Sequence, residues 1–270
     1  MILAVNRSVW LTRVGLVLLT TASTGALTAT PALAASTGVA SVVESTKVNY
    51  KAASGKQNKV VVTLAGRTIT IDDRVPIKAG KGCKQVKGDR TKVRCTTKAK
   101  PTRVRVYTYD RNDSIVNQTG LPATLNGGTG NDTIVGGSRG ELIEGGLGND
   151  KLWGNGGNDT LYGDLGDDVV HGGAGNDTLM DATGKYSGND WLFGDDGDDN
   201  VWGEAGNDHL YGGYGDDLLM GGAGADYIAG GYGDDYLVGN DCGQGTAVGG
   251  CNAKDTLIGG PGTDTIIKSV

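Results

Sequence analysis

From Gly127 onward the chain repeats itself every nine residues, and this period restricts its possible folds more than any other feature. Gly127-Gly-Thr-Gly-Asn-Asp132-Thr-Ile-Val135, Gly145-Gly-Leu-Gly-Asn-Asp150-Lys-Leu-Trp153 and Gly154-Asn-Gly-Gly-Asn-Asp159-Thr-Leu-Tyr162 share one frame. Fourteen such blocks fit between residues 127 and 267, with four extra residues in 181–193 and eleven in 239–258. Position 8 is aliphatic in all fourteen: Ile134, Ile143, Leu152, Leu161, Val170, Leu179, Leu192, Val201, Leu210, Leu219, Ile228, Leu237, Leu257 and Ile266. Positions 7 and 9 vary freely among Thr, Lys, Tyr, His, Trp and Met. One inward residue between two outward ones is a three-residue strand with a buried centre. Positions 1 to 6 supply a turn in which glycine can take φ > 0. Two blocks close one circuit, so the array reads as seven circuits stacked ~4.8 Å apart, a flattened solenoid roughly 30 Å long.

Such a solenoid has a thin interior, one aliphatic side chain per block, against the conformational entropy of many glycines. Its charge makes matters worse. Residues 126–270 carry 25 Asp/Glu against 5 Lys/Arg, a net of −20, and hold 40 of the chain's 49 glycines. Self-repulsion of that size opposes compaction unless a counter-ion intervenes. Position 6 names the counter-ion's ligands: Asp132, Asp150, Asp159, Asp168, Asp177, Asp190, Asp199, Asp208, Asp217, Asp226, Asp235, Asp255 and Asp264, with Glu141 in the remaining block. Carboxylates beside glycine turns with unshielded carbonyls form an oxygen-only donor set, which suits Ca²⁺ with its six to eight ligands better than the stricter, water-retaining Mg²⁺. Blocks n and n+2 stack on the same side, so each ion is expected between Asp residues 18 apart in register. A disordered acidic tail would not keep an aliphatic residue at a fixed place in a nine-residue frame.

These blocks resemble the RTX, or hemolysin-type, calcium-binding repeat, G-G-x-G-x-D-x-U-x. The resemblance implies an all-β fold, a parallel β-roll with calcium held between successive turns on each side. Seven turns per side allow at most twelve ions, and departures from the pattern lower this. Arg139 replaces glycine in block 136–144, Glu141 reaches a methylene further than Asp, 181–193 lacks the leading glycines, and 239–258 is interrupted. Roughly eight to ten Ca²⁺ ions are expected.

The rest of the chain differs in kind. Residues 1–34 carry Arg7 and Arg13 before the apolar run Val14–Leu19 and end in Ala32-Leu-Ala34, the layout of a cleaved secretory signal. The run is too short for a transmembrane span, which needs about 20 apolar residues, and no other segment could serve as one. Export to an oxidising compartment makes the four cysteines two local disulfides, Cys83–Cys95 and Cys242–Cys251, rather than a zinc site. Residues 36–125 carry 18 Lys/Arg against 6 Asp/Glu. Alternating stretches at Val42–Tyr50, Lys59–Leu64, Thr68–Ile71 and Arg103–Tyr109 predict a small basic β-rich domain over 35–110 that precedes the roll. Val104, Val106 and Thr108 should point one way, and the arginines and tyrosines between them the other. Asn112-Asp113-Ser114-Ile115 and Thr124-Leu125 echo the second half of the repeat without its glycines, so 111–126 reads as cap coils leading into a roll over 127–270.

Catalysis and nucleic-acid binding find little support. There is no H-E-x-x-H pair, and the many G-x-G-x-x-G strings arise from the repeat without any βαβ context. His171 and His209 fall at outward strand positions. The basic segment's charge is spread out and lacks the interleaved aromatics of a nucleic-acid platform. The expectation is therefore a secreted, non-enzymatic calcium-binding protein. A second reading has an outward aromatic face, Trp153, Tyr162, Trp202 and Tyr211, attach the protein to cell-wall or surface polymers.

Overall fold

The computed structural model describes residues 37–181, 188–239 and 255–267. The signal segment 1–34 and the Cys242–Cys251 pair lie outside the described residues. The described residues form 24 strands and no helix, hence none long and apolar enough to cross a membrane. The strands build two 12-stranded sheets. From the strands Lys47–Lys51 and Lys59–Ala65 onward, each strand pairs in parallel with the strand one circuit later on its own side. The chain is a parallel β-roll.

Register follows the aliphatic column. In one sheet Leu152 pairs with Val170, Val170 with Leu192, Leu192 with Leu210, and Leu210 with Ile228. In the other, Ile143, Leu161, Leu179, Val201, Leu219 and Leu237 pair in succession. Thirteen of the fourteen position-8 side chains are buried. The exception, Ile266, is 41% exposed. It lies in Thr265–Ile267, the end strand of its sheet among the described residues. The inserts do not disturb this order. Val170 and Leu192 are 22 residues apart and Ile228 and Leu257 are 29 apart, yet both pairs meet directly across neighbouring strands.

The basic N-terminal segment is β-rich, and its strands continue those of the roll. Both sheets run into it without a break, and one hydrophobic cluster extends from Ala40 to Leu257. The inward column continues through Leu125 to Val106 and Tyr50 on one side, and through Ile115 to Val60 on the other. Val104, Val106 and Thr108 are fully buried, as their alternation requires. The run Val42–Tyr50 is not a single strand. It folds as a hairpin of Gly38–Val43 and Lys47–Lys51, because Glu44 and Ser45 take left-handed conformations, φ 50° and 58°. Further antiparallel strands, Thr68–Asp72, Asp89–Thr96 and Cys83–Val86, finish the second sheet. Cys83 lies opposite Cys95 across the last pair, and the two form a disulfide. Antiparallel hairpins, with the strand Ile77–Ala79 added in parallel to Gly38–Val43, thus form the N-terminal end of the roll.

The boundary at residue 110 also shifts. Residues 108–116, Thr-Tyr-Asp-Arg-Asn-Asp-Ser-Ile-Val, form a complete block in register, with Ser114, Ile115 and Val116 paired to Thr133, Ile134 and Val135. The block contains no glycine. Tyr109 and Arg111 adopt φ 74° and 75° at its second and fourth positions. Side chains rarely tolerate that region, so the stacking of the next coil over this turn holds them there.

Candidate metal centre

The position-6 residues meet in two ladders, one along each edge of the roll. In one, the Oδ1 atoms of Asp132, Asp150, Asp168, Asp190, Asp208 and Asp226 each accept the backbone N–H of the equivalent residue one circuit earlier, at 2.6–2.9 Å. In the other, Asp159, Asp177, Asp199, Asp217 and Asp235 do the same from Glu141 onward, at 2.6–3.0 Å. Asp255 and Asp264 end the two ladders at 3.1 and 3.2 Å. The separation is 18 residues in the regular circuits, 22 across 182–187 and 29 across 240–254. Block 181–193, despite its missing glycines, therefore interrupts neither ladder. Parallel pairing on either side holds Asp190 in line.

One hydrogen bond uses one carboxylate oxygen. The other, Oδ2, is buried and has no hydrogen-bond partner in Asp132, Asp150, Asp159, Asp168, Asp177, Asp190, Asp199, Asp208, Asp217, Asp226 and Asp235. Asp255 and Asp264 are only partly buried. No described Lys, Arg or His forms an ion pair with any of those eleven residues. A buried polar atom left in this state costs about 1–3 kcal/mol, more when charged, and eleven in two lines require a common partner.

The glycine at position 1 shows where that partner fits. A Cβ on Gly203 would lie 2.7 Å from Asp208 Oδ2 and 2.7 Å from the carbonyl oxygen of Gly221, its counterpart in the next coil. Gly127, Gly145, Gly154, Gly172, Gly194 and Gly212 face the same two oxygens in their own coils. These turns thus keep a cradle lined by a carboxylate and a carbonyl that any side chain would fill. Oxygen donors alone, two acidic groups per interval and no competing cation match a hard divalent ion such as Ca²⁺.

Burial decides the protonation of the metal-free ladders. It pushes the carboxyls of Asp132, Asp150, Asp199 and Asp217 up to about 7, and those of Asp159, Asp168 and Asp208 up to about 8. The accepted N–H opposes this shift in each case, while neighbouring carboxylates add to it.

Two acids that the sequence pattern set aside also join the ladders. Asp113 accepts the N–H of Asn58 through Oδ1 at 2.6 Å and leaves Oδ2 buried without a hydrogen bond. Its signal was the echo in Asn112-Asp113-Ser114-Ile115, hidden by the absence of glycine. Glu141 folds its longer side chain back, so that Oε2 accepts the Gly137 N–H at 2.9 Å and Oε1 is left without a hydrogen bond. The extra methylene is absorbed by a looser fit. The nearest Glu141 oxygen would be 3.2 Å from a Cβ on Gly136, further than in the regular turns. Arg139 escapes strain, since it is not among the residues of positive φ.

The aromatic residues do not share a face. Trp153 and Tyr211 lie on one sheet, where Trp153, His171, Phe193 and Tyr211 pair in succession. Tyr162 and Trp202 lie on the other, linked through Met180. On the first sheet the rings stack on one another. His171 and Phe193 are 4.4 Å apart, Phe193 and Tyr211 4.9 Å, and Trp191 and His209 4.2 Å, all within 7° of parallel. Offset stacking of this kind covers ring faces with neighbouring rings and leaves mainly edges for a partner. The histidines are members of these stacks, and His171 Nδ1 also lies 3.1 Å from Asp195.

Comparison with known proteins agrees with the geometry. A family model for the RTX calcium-binding nonapeptide repeat matches residues 124–138, 141–179, 186–219, 211–241 and 252–267. No curated protein matches the chain.

Proposed function

Since the stretch from 124 to 267 is an array of RTX calcium-binding nonapeptide repeats, we propose that this protein is an exported calcium binder whose array folds as the ion is taken up. The supporting observation is the pair of carboxylate ladders, whose regular turns, such as those of Asp159, Asp199 and Asp208, bring a buried Oδ2 without a hydrogen bond against a glycine carbonyl. Asp132, Asp150, Asp159, Asp168, Asp177, Asp190, Asp199, Asp208, Asp217, Asp226, Asp235, Asp255 and Asp264 are the proposed ligands, with roughly eight to ten ions along the two edges. Asp113 and Glu141 are candidates for one further position at the start of each ladder. Calcium supplies positive charge between stacked carboxylates. The chain supplies the spacing, the exclusion of water and the turn carbonyls.

Export is supported by the basic, apolar and A-x-A order of residues 1–34 and by the Cys83–Cys95 disulfide, a bond that persists in oxidising compartments. Attachment to surface polymers gains no comparable support, because the aromatic residues divide between two faces and the rings of Trp153 and Tyr211 are members of a stack.

Asp217→Asn tests the ligand assignment. Asparagine keeps the oxygen that accepts the Asp199 N–H, at 2.8 Å in the native chain, and removes only the charge. Calorimetric titration should lose one or two calcium ions, because Asp217 borders the intervals towards both Asp199 and Asp235. An unchanged stoichiometry and affinity would remove Asp217, and with it the ladder model of binding, from consideration.

A further inference from the structure

Thirteen of the fourteen blocks begin with glycine, and the fourteenth begins with Asp181. The regular turns define what a side chain at this place must face. At position 1 the Cβ direction runs onto Oδ2 of the block's own position-6 residue, as at Gly203, 2.7 Å from Asp208 Oδ2, and Gly163, 2.5 Å from Asp168 Oδ2. Asp181 keeps the backbone contact of that position, its N–H donating to the Trp202 carbonyl at 3.1 Å, just as the Gly203 N–H donates to Met220. Its carboxylate is consequently delivered to the ladder. One oxygen each of Asp168, Asp181 and Asp190 lies within 4.8 Å of the other two, and all three residues are buried.

A second observation comes from the partners. Asp190 Oδ1 is held by the Asp168 N–H at 2.7 Å, and the Asp190 N–H is held by Asp208 Oδ1 at 2.9 Å. That fixes the Asp190 carboxylate, whose Oδ2 has no hydrogen bond although the residue is 0% exposed. Asp168, 1% exposed, has the same free Oδ2. Elsewhere an interval holds two carboxylates, which a divalent ion neutralises. Here a third is forced in where the other thirteen blocks of 127–267 make room with glycine, and like charges at this spacing repel strongly unless a cation, or a proton shared between the adjoining carboxyls of Asp181 and Asp190, lies among them.

We propose that Asp168, Asp181 and Asp190 form a three-carboxylate cation site, distinct from the two-carboxylate intervals, that is the tightest calcium site of the array and the one most selective for trivalent over divalent hard cations. The inference rests on the reading of the ladders as calcium sites and adds to it one site of different charge. Ligand charge sets affinity in oxygen-ligated sites, so the third carboxylate tightens calcium and favours a 3+ ion still more. Asp181 is then a ligand of this chain's own, outside the repeat pattern, and this coil would be the first to order as calcium rises.

Terbium luminescence on the full chain tests the proposal, with Trp191, the neighbour of Asp190, as sensitiser. Tb³⁺ is titrated into calcium-loaded wild type, Asp181→Asn and Asp181→Gly, with circular dichroism recorded on the same samples. Wild type should show one leading equivalent that displaces calcium at lower Tb³⁺ than the rest. Both variants should weaken that equivalent by at least about tenfold while later equivalents and the calcium-loaded fold persist. Asp181→Gly restores the residue of the other blocks and so guards against a folding defect peculiar to asparagine. Superimposable titrations of wild type and variants, or a wild type without a distinct leading equivalent, would overturn the three-carboxylate site while leaving the ladders standing. Failure of wild type to take up either ion would overturn both.

Discussion

Treated with excess EGTA, the chain should lose most of the β-structure of residues 127–267 and regain it cooperatively as free calcium rises through ~0.1–1 mM, the range of extracellular modules. The effect is large because nothing else in the array can replace the ion. Each circuit buries two aliphatic side chains, such as Leu161 and Val170, worth about 1.5–3 kcal/mol apiece. Ordering the backbone of all eighteen residues of a circuit costs ~1–2 kcal/mol each. Strand hydrogen bonds offset part of the difference, but the ladders add buried carboxylates without a second partner. The N-terminal coils stand differently. Tyr50, Val60, Val62, Ile69, Ile71, Val93 and Cys95 are all fully buried there, and the Cys83–Cys95 disulfide ties the end strands. The signal that survives chelation should therefore belong to residues 37–126, and proteases should cut first among the glycine turns beyond. Equal far-ultraviolet spectra and equal melting temperatures with and without calcium would refute this account of the fold.

The second large effect is on pH. In chelator, the array should be most ordered near pH 4–5 and least ordered near pH 8, the reverse of acid denaturation. Folding raises these carboxyls from an ordinary value near 3.9 to about 7 for Asp150 and about 8 for Asp208. A raised carboxyl pKa means the folded state prefers the protonated acid. Its stabilising contribution is complete below the unfolded value and is lost progressively as pH climbs from there through the folded values of about 7 and 8. A protonated Oδ2 also finds an acceptor, since the carbonyl of Gly221 borders the same cradle as Asp208 Oδ2. With calcium present the dependence inverts, because the ion binds carboxylate and protons compete with it. The gain in melting temperature from calcium should therefore be largest near pH 8 and shrink towards pH 5. A calcium-free chain equally disordered at both pH values would show that protonation cannot substitute for the cation, contrary to the burial of the ladders.

Much of this was legible before any coordinates. Burial of the position-8 column, parallel stacking of alternate blocks and alignment of the position-6 acids all follow from the nine-residue frame, because a period of two blocks leaves a chain only one register that buries every aliphatic residue. The local exceptions were read less well. Glu141 looked too long for its place, yet the side chain folds back onto Gly137. Block 181–193 looked broken, yet Asp190 stays in line because the strands Trp191–Asp196 and Val169–Ala174 pair across the insert. Asp113 was hidden because Tyr109 and Arg111 occupy the positions where glycine advertises a turn.

The amino-acid order alone thus determined the period, the inward column and the two lines of acid, since each depends on spacing along one chain. Tertiary structure alone decided which residues meet across coils: Asp181 with Asp168 and Asp190, the aromatic residues split between two sheets, and the basic segment joined to the roll as its closing end. Those contacts join residues brought side by side by the pairing of strands, and the nine-residue frame shows where an insert falls without showing which side chains it brings together.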